Sequence, residues 1–207
     1  FPRGSFTKEL EDQFEVIREV NFKNQFPDKL VVEVEERQGI IIWCSRENCF
    51  LVDEIGLVFY MLQDNEKEQR FEEYDVVIDK SYSEVAEDWK IEKSQLVVFV
   101  YQIKKLIEEK TDLEVQREIE TPSMISREIR IRTKEGWQIY FNIENDPEDQ
   151  VDLLREILNV SISEEEKNHL NYIDLRIAGK AIYNASIKIE NNDEGKEEEN
   201  ESLKEQE

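Results

Sequence analysis

Two stretches, one near each end of the 207-residue chain, constrain its fold most, because each consists of two short strands joined by a tight turn. Residues 24–43 read NQFPDKLVVEVEERQGIIIW, and the strand period of two places Val32 and Val34 on the same face. Residues 172–183, YIDLRIAGKAIY, alternate in the same way around a glycine turn. Neither stretch contains a nucleophile with its base, a metal cluster or a phosphate-binding loop. The pattern favours a protein that works through its strand edges.

The charge of the chain excludes one large class of partners. It has 50 acidic residues against 27 basic ones, a net charge of −23. Residues 190–207 hold nine acids and two lysines, a net of −7, which leaves −16 on the rest of the chain. A surface this acidic repels phosphate backbones, so nucleic-acid binding is disfavoured. Because the tail has almost no apolar residue to bury, residues 187–207 are predicted to be disordered.

The remaining hydrophobic pattern predicts an α+β fold of two domains. Residues 1–38 hold a helix over residues 7–16 and a strand hairpin, and residues 39–186 form a larger mixed α/β domain with a mainly antiparallel sheet. Residues 63–70 are polar and charged, which predicts a mobile loop. Strands of the larger domain are expected near residues 40–44, 49–52, 57–62, 76–78, 113–119, 127–133, 137–143, 171–177 and 180–184. Its two or three helices are expected at residues 94–110, from Pro147 onward and from Ser163 onward.

A search for catalytic or metal-binding residues finds none to nominate. His169 is the only histidine and lies in an acidic stretch, which disfavours a catalytic triad or a histidine metal site. Cys44 and Cys49 lack the second cysteine pair that a zinc site of about four ligands needs. Asp174 shares a strand face with Arg176, so pairing between the two is favoured over catalysis. No catalytic residue, no metal site and no cofactor is predicted.

Three groups of residues, in order along the chain, match the motifs of one known family. The first group is Phe26, Pro27, Leu30, Val32, Val34, Glu36 and Arg37. The second group is Leu51, Val52, Asp53, Gly56, Val58 and Phe59, and the third is Asp174, Leu175 and Arg176. In these residues the chain resembles the FtsQ/DivIB family of bacterial cell-division proteins.

The resemblance implies a non-enzymatic scaffold of the division septum, held in the bacterial cell membrane by a single helix. This portion is then extracytoplasmic, with a polypeptide-transport-associated (POTRA) domain in residues 1–38 and a family-type β-domain in residues 39–186. No window of about 20 apolar residues exists in the chain, so the membrane helix and the first POTRA strand are expected to be missing from it. The implied partners are other division proteins of the FtsB/DivIC and FtsL types, with no small-molecule substrate.

The same resemblance places the partner-binding surface in the last two strands. The candidate residues are Tyr172, Asp174, Arg176, Lys180, Ile182 and Tyr183. The residues give an independent reason, because residues 180–184 are the last expected strand and nothing downstream is expected to cover its unpaired backbone groups. Ile182 and Tyr183 lie on opposite faces and, with Arg176, are expected to select the partner. The alternative is that this hairpin only completes the sheet and that the acidic tail guards its edge.

A second function stays open at this point. The chain also fits the periplasmic POTRA module of a protein translocation or outer-membrane assembly system. The two functions differ in the domain expected after the POTRA unit. The mixed α/β domain predicted for residues 39–186 favours the division scaffold over the translocation module.

Cys44 and Cys49 are expected to form a disulfide. They flank a four-residue loop in a predicted hairpin, where cross-strand Cβ atoms approach each other, and the domains of the family face an oxidising compartment. Two small buried thiols are the alternative.

Overall fold

The computed structural model of the chain describes residues 3–86, 89–91, 94–123, 125–186 and 201–206. They form a two-stranded sheet, β1–β2, and a separate ten-stranded sheet. The strands are β1 (Ile17–Gln25), β2 (Lys29–Glu36), β3 (Ile41–Ser45), β4 (Asn48–Val52), β5 (Val58–Met61), β6 (Asp75–Asp79), β7 (Val115–Thr121), β8 (Glu128–Thr133), β9 (Gln138–Asn142), β10 (Leu170–Asp174), β11 (Ala181–Ser186) and β12 (Glu201–Gln206). The helices are α1 (Arg3–Gln13), α2 (Asp64–Glu73), α3 (Ser94–Lys110), α4 (Pro147–Glu156), a π-helical turn (Ile157–Ser161) and α5 (Glu164–Lys167).

The N-terminal unit, α1 with the β1–β2 hairpin, covers its apolar face only in part. The ring of Phe6 on α1 lies 5.8 Å from that of Phe22 on β1. Every residue of β2 is exposed, and its apolar residues on the same face are 47% to 52% exposed. The helix predicted over residues 7–16 is present but begins and ends earlier. Residue 38 lies between the last strand of the small sheet, β2, and the first strand of the large sheet, β3. The division into two domains at this residue stays a prediction.

A buried ion pair joins the N-terminal unit to the large sheet. The Arg37 Nη1 donates to Asp53 Oδ2 at 2.7 Å, and the side chains are only 16% and 2% exposed. Asp53 Oδ1 accepts from the backbone N–H groups of Ile55 and Leu57, so the same carboxylate also closes the turn before β5. The Arg37 Nε donates to the Glu15 carbonyl at 3.1 Å. One guanidinium therefore holds the start of β1 against the large sheet.

We expect Arg37→Met to lower the free energy of unfolding by about 3 kcal/mol, because it leaves the Asp53 carboxylate buried without its cation. A denaturant titration measures the change. Lys23→Met is the matched control, since Lys23 pairs with Glu33 at 2.6 Å but the two side chains are 64% and 50% exposed. That substitution should cost less than about 1 kcal/mol. Equal losses in the two variants would contradict the role assigned to the buried pair.

The ten-stranded sheet has the order β12-β11-β10-β9-β8-β7-β6-β3-β4-β5. Six neighbouring pairs are antiparallel, and three, β3–β6, β6–β7 and β9–β10, are parallel. One face packs with α3 and α4 in the main hydrophobic cluster. On the other face, a smaller cluster around β3 and β4 takes in Phe71 from α2. The predicted α+β class, with its mainly antiparallel sheet, is confirmed.

The mobile loop predicted at residues 63–70 is wrong, because most of that segment belongs to α2. A capping box begins the helix: Gln63 N–H donates to Glu66 Oε2 at 2.9 Å, and the Gln63 side chain accepts from the backbone of Glu66. The Tyr60 hydroxyl also donates to Glu66, at 3.0 Å. A single aromatic residue, Phe71, packs the helix against the smaller cluster. The sequence signal was weak because so few apolar residues anchor this helix.

Helix α4 fixes the crossover from β9 to β10. Asp146 caps the helix by accepting from the backbone N–H of Glu148 at 2.8 Å, and Pro147 occupies the first turn. Val151 and Leu154 are fully buried in the main cluster, together with the inner residues of β7, β8 and β9. Helix α4 therefore packs on the part of the sheet that β7, β8 and β9 form.

Leu154→Ala should lower the free energy of unfolding by about 2 to 5 kcal/mol, since it opens a cavity in the main cluster. Val160→Ala, at a position 78% exposed in the neighbouring π-helical turn, is the control and should change it by less than about half a kcal/mol. A loss in L154A no larger than in V160A, in urea titrations of both, would show that α4 is misplaced.

The predicted disulfide is present. Cys44 on β3 and Cys49 on β4 are directly opposite each other, with an S–S distance of 2.02 Å. The connecting turn places Arg46 at φ 56°, and the Arg46 Nε donates to the Tyr82 carbonyl at 2.6 Å. Both cysteines are buried in the smaller cluster, so they contribute apolar contacts as well as a covalent link.

Replacing both cysteines by alanine should destabilise the protein by about 2 kcal/mol, the chain-entropy value for so short a loop. The measurement is the denaturant midpoint of oxidised protein, of reduced protein and of the double variant. Reduction alone should give most of the loss. A double variant as stable as the oxidised protein would contradict this expectation.

Candidate partner-binding face at the C-terminal strands

The pairing of β10 decides which side chains of the C-terminal strands meet. Strand β10 runs parallel to β9, with Asp174 opposite Tyr140, and antiparallel to β11, with Asp174 opposite Ile182. Strand alternation then divides the residues between two faces. Ile173 and Tyr183 point into the main cluster, whereas Asp174 and its two register partners lie on the opposite, outer face and are partly exposed.

Two tyrosines and two arginines stack on this outer face. The rings of Tyr140 and Tyr172 have centroids 5.2 Å apart and are nearly parallel, at 8°. The guanidinium carbons of Arg130 and Arg176 lie 4.9 Å and 5.4 Å from the centroid of Tyr140. Such contacts are favourable because the cation meets the negative face of the ring. We call Glu128, Arg130, Tyr140, Tyr172, Asp174 and Arg176 the tyrosine–arginine cluster.

Carboxylates hold the two guanidinium groups in place. Arg176 donates from Nε to Asp174 Oδ1 at 2.8 Å and from Nη2 to Asp174 Oδ2 at 2.5 Å, and its Nη1 donates to Glu128. The Arg130 Nε donates to the other oxygen of Glu128 at 2.5 Å. The hydrogen bonds to Asp174 are the main cause of a raised pKa of Arg176. The predicted pairing of Asp174 with Arg176 is confirmed, and it is bidentate.

The cluster presents its cations rather than its anions to solvent. The side chains of Arg130 and Arg176 are 37% and 39% exposed, whereas those of Glu128 and Asp174 are 15% and 14% exposed. The formal charges cancel within the cluster, so it stands out on a chain of net charge −23. An aromatic and guanidinium surface of this kind suits contact with aromatic or carboxylate side chains of another protein.

The loop after β10 holds Arg176 at the edge of this face. The Arg176 carbonyl accepts from Asn145 Nδ2 at 3.1 Å and from Asn142 Nδ2 at 3.5 Å. The chain then turns through Gly179, whose φ of 72° suits a residue without a Cβ, and enters β11. Ile177 in this loop is 52% exposed.

One of the six predicted partner-binding residues is misassigned. Tyr183 is only 2% exposed and lies in the main cluster with Ala181 and Ala185, so its side chain is not on the surface. The other five, Tyr172, Asp174, Arg176, Lys180 and Ile182, are partly exposed at the outer face or the turn beside it. A chain truncated after Gly179 would lose the buried side chains of β11. A loss of binding in such a variant could then come from a damaged core rather than from a missing contact with the partner.

The expectation that nothing downstream covers the last hairpin is also wrong. Within the predicted disordered tail, residues 187–200 and 207 lie outside the described residues, but Glu201–Gln206 forms β12. It pairs antiparallel with β11 over six positions, from Ala181 opposite Gln206 to Ser186 opposite Glu201. The edge of β11 is therefore paired with the chain's own C-terminal segment.

Sequence reasoning missed half of the tyrosine–arginine cluster. Glu128, Arg130 and Tyr140 come from β8 and β9, where polar residues alternate with buried ones such as Ile129 and Phe141. That alternation shows that the three residues share a face. It does not show that β10 lies beside β9, which depends on the crossover through α4.

The described residues contain no group of three or more His, Cys, Asp or Glu side chains placed to hold a metal ion. A cavity of about 440 Å³ lies beside α3, but its buried Lys104 already donates to Asp75 at 2.5 Å. A second cavity of about 380 Å³ adjoins the β3–β4 turn. Neither cavity shares a lining residue with the tyrosine–arginine cluster.

Comparison with known proteins identifies no family. No family model matches the chain, and a search of curated proteins returns no significant match. Among the described residues, no helix is long and apolar enough to cross a membrane.

Proposed function

We propose that this chain is the extracytoplasmic part of a divisome scaffold of the FtsQ/DivIB type, which recruits other division proteins without catalysing a reaction. The observation that carries the proposal is the tyrosine–arginine cluster beside the β11 edge. It brings Tyr172, Asp174 and Arg176 together on one outer face, next to a strand that pairs by its backbone. These are the features expected of a surface for strand addition.

The family motifs also make physical sense in this fold. Arg37 and Asp53 belong to two different motifs, and together they form the buried ion pair that joins the two sheets. Asp174 and Arg176, from the third motif, form the bidentate pair at the outer face. Resemblance at these positions thus concerns residues that determine the structure, which supports the proposal.

The binding mode follows from the two kinds of group present. A strand of the partner would take the place of β12 and pair with the backbone of β11, which supplies affinity for any extended segment. Selectivity would come from Ile182 and the tyrosine–arginine cluster, which meet the side chains of that strand. The proposed partners are division proteins of the FtsB/DivIC and FtsL types, and the proposed location is the division septum, with a single N-terminal helix in the bacterial cell membrane.

A second candidate draws on the N-terminal strand β2. Strand β2 is exposed along its whole length, and its apolar face is only partly covered. A POTRA module of a protein translocation or outer-membrane assembly system would receive its clients at such an edge. Binding that depends on β2 rather than on Tyr172 would favour this candidate.

Tyr172→Ala should weaken binding of a purified FtsB/DivIC-type partner roughly 5- to 30-fold, since it removes one ring of the stacked pair. Isothermal titration of the 207-residue chain against the partner measures the affinity. The matched control is Tyr101→Ala, because Tyr101 is 60% exposed on α3, away from the cluster. Circular dichroism should show both variants folded.

Two outcomes would count against this site. If Y172A and Y101A bind the partner equally well, the cluster is not the contact surface. If Val32→Glu on β2 abolishes binding and Y172A does not, the POTRA alternative is favoured. Loss of binding in Y172A with normal binding in Y101A and V32E supports the proposed function.

A further inference from the structure

The C-terminal strand β12 occupies the edge at which the proposed partner would bind. Its register covers all of β11, from Ala181 opposite Gln206 to Ser186 opposite Glu201. Each backbone N–H or C=O group at a strand edge can pair fully with only one neighbouring strand at a time. A partner strand and β12 therefore cannot both add to β11.

The sequence of β12 is poorly suited to hold a sheet edge permanently. ESLKEQ has one apolar residue in six, Leu203, and is rich in glutamate, lysine and glutamine. Glutamate and lysine are depleted in strands, and strand stability comes mainly from side-chain packing. The tail also carries a net charge of −7 against −16 on the rest of the chain, so like charges oppose its docking.

Covalent connection offsets this weakness. Residues 187–200, fourteen in number, join β11 to β12 within one chain. A short connection gives the second segment an effective concentration on the order of millimolar, so even a poor strand occupies its site much of the time. A free partner has to compete with a segment that is always near.

We propose that β12 is an internal competitor, which covers the β11 edge and is displaced when a partner strand binds. This inference rests on the proposed function, because it assumes that the partner adds to β11. The displacing segment is an extended strand with alternating apolar side chains and a carboxylate or aromatic group that reaches Arg176. Such a strand gains side-chain contacts at Ile182 and the tyrosine–arginine cluster, so specificity for the partner is sharpened.

The partner can bind only those molecules in which β12 has left the β11 edge. Its apparent affinity should therefore equal its intrinsic affinity multiplied by the fraction of molecules with an open edge. If β11 is open for about a tenth to a hundredth of the time, the apparent affinity falls about 10- to 100-fold. Removing the competitor should recover that factor without any change in the contacts with the partner.

Hydrogen exchange on the full chain tests the covering without any partner. The Ser202→Pro, Leu203→Pro double variant lacks the backbone N–H groups of both residues. Because successive N–H groups of a strand point to opposite sides, one of these two groups points toward β11, and the variant loses that hydrogen bond. About half of the amides in residues 181–186 should then exchange faster, namely those facing β12. The matched control, Ser202→Ala with Leu203→Ala, alters the same side chains but keeps the donors. Equal exchange in both variants and the parent chain would overturn the proposal.

Partner titration then tests the competition. The proline variant should bind the FtsB/DivIC-type partner at least about tenfold more tightly than the alanine variant. Faster exchange with unchanged affinity would overturn the competition. If the partner binds neither variant nor the parent chain, the proposed function fails, and the exchange result alone still shows whether β12 covers β11.

Discussion

The parallel pairing of β10 with β9 is the constraint on which the candidate face depends. Parallel strands need a long crossover, and here the connection runs through α4, the π-helical turn and α5. Burial of Val151 and Leu154 fixes α4 against the sheet, which returns the chain beside β9. Only then do Tyr140 and Tyr172, which are distant in sequence, become stacked neighbours. The outer face is thus determined by packing on the inner one.

Local patterns in the sequence predict much of this fold but not its long-range pairing. Helix α3 has the predicted bounds, and most strands lie within a few residues of their predicted positions, because alternation and helical spacing are local signals. Helix α2 was missed because one aromatic anchor and a capping box give little periodicity. The strand order, in which β3 lies between β6 and β4, depends on contacts that no local pattern encodes.

The candidate site shows the same division. Spacing by two residues placed Asp174 and Arg176 on one face, and the structure pairs them. The same rule placed Ile182 and Tyr183 on opposite faces, but it does not say which face the helices cover. Tyr183 is on the covered face and belongs to the core. A strand period identifies two faces, and only the packing of the other layer distinguishes them.

The Cys44–Cys49 bond has a consequence for how the β3–β4 hairpin finds its alignment. Strand β3 is buried along its whole length, and so is β4 apart from Asn48. In most strands a slip of one residue is prevented because it turns polar groups inward. Here both faces of the hairpin are apolar, so burial alone discriminates weakly between alternative alignments. The covalent bond between directly opposed positions selects one of them, and it keeps Trp43 and Phe50 together in the main cluster.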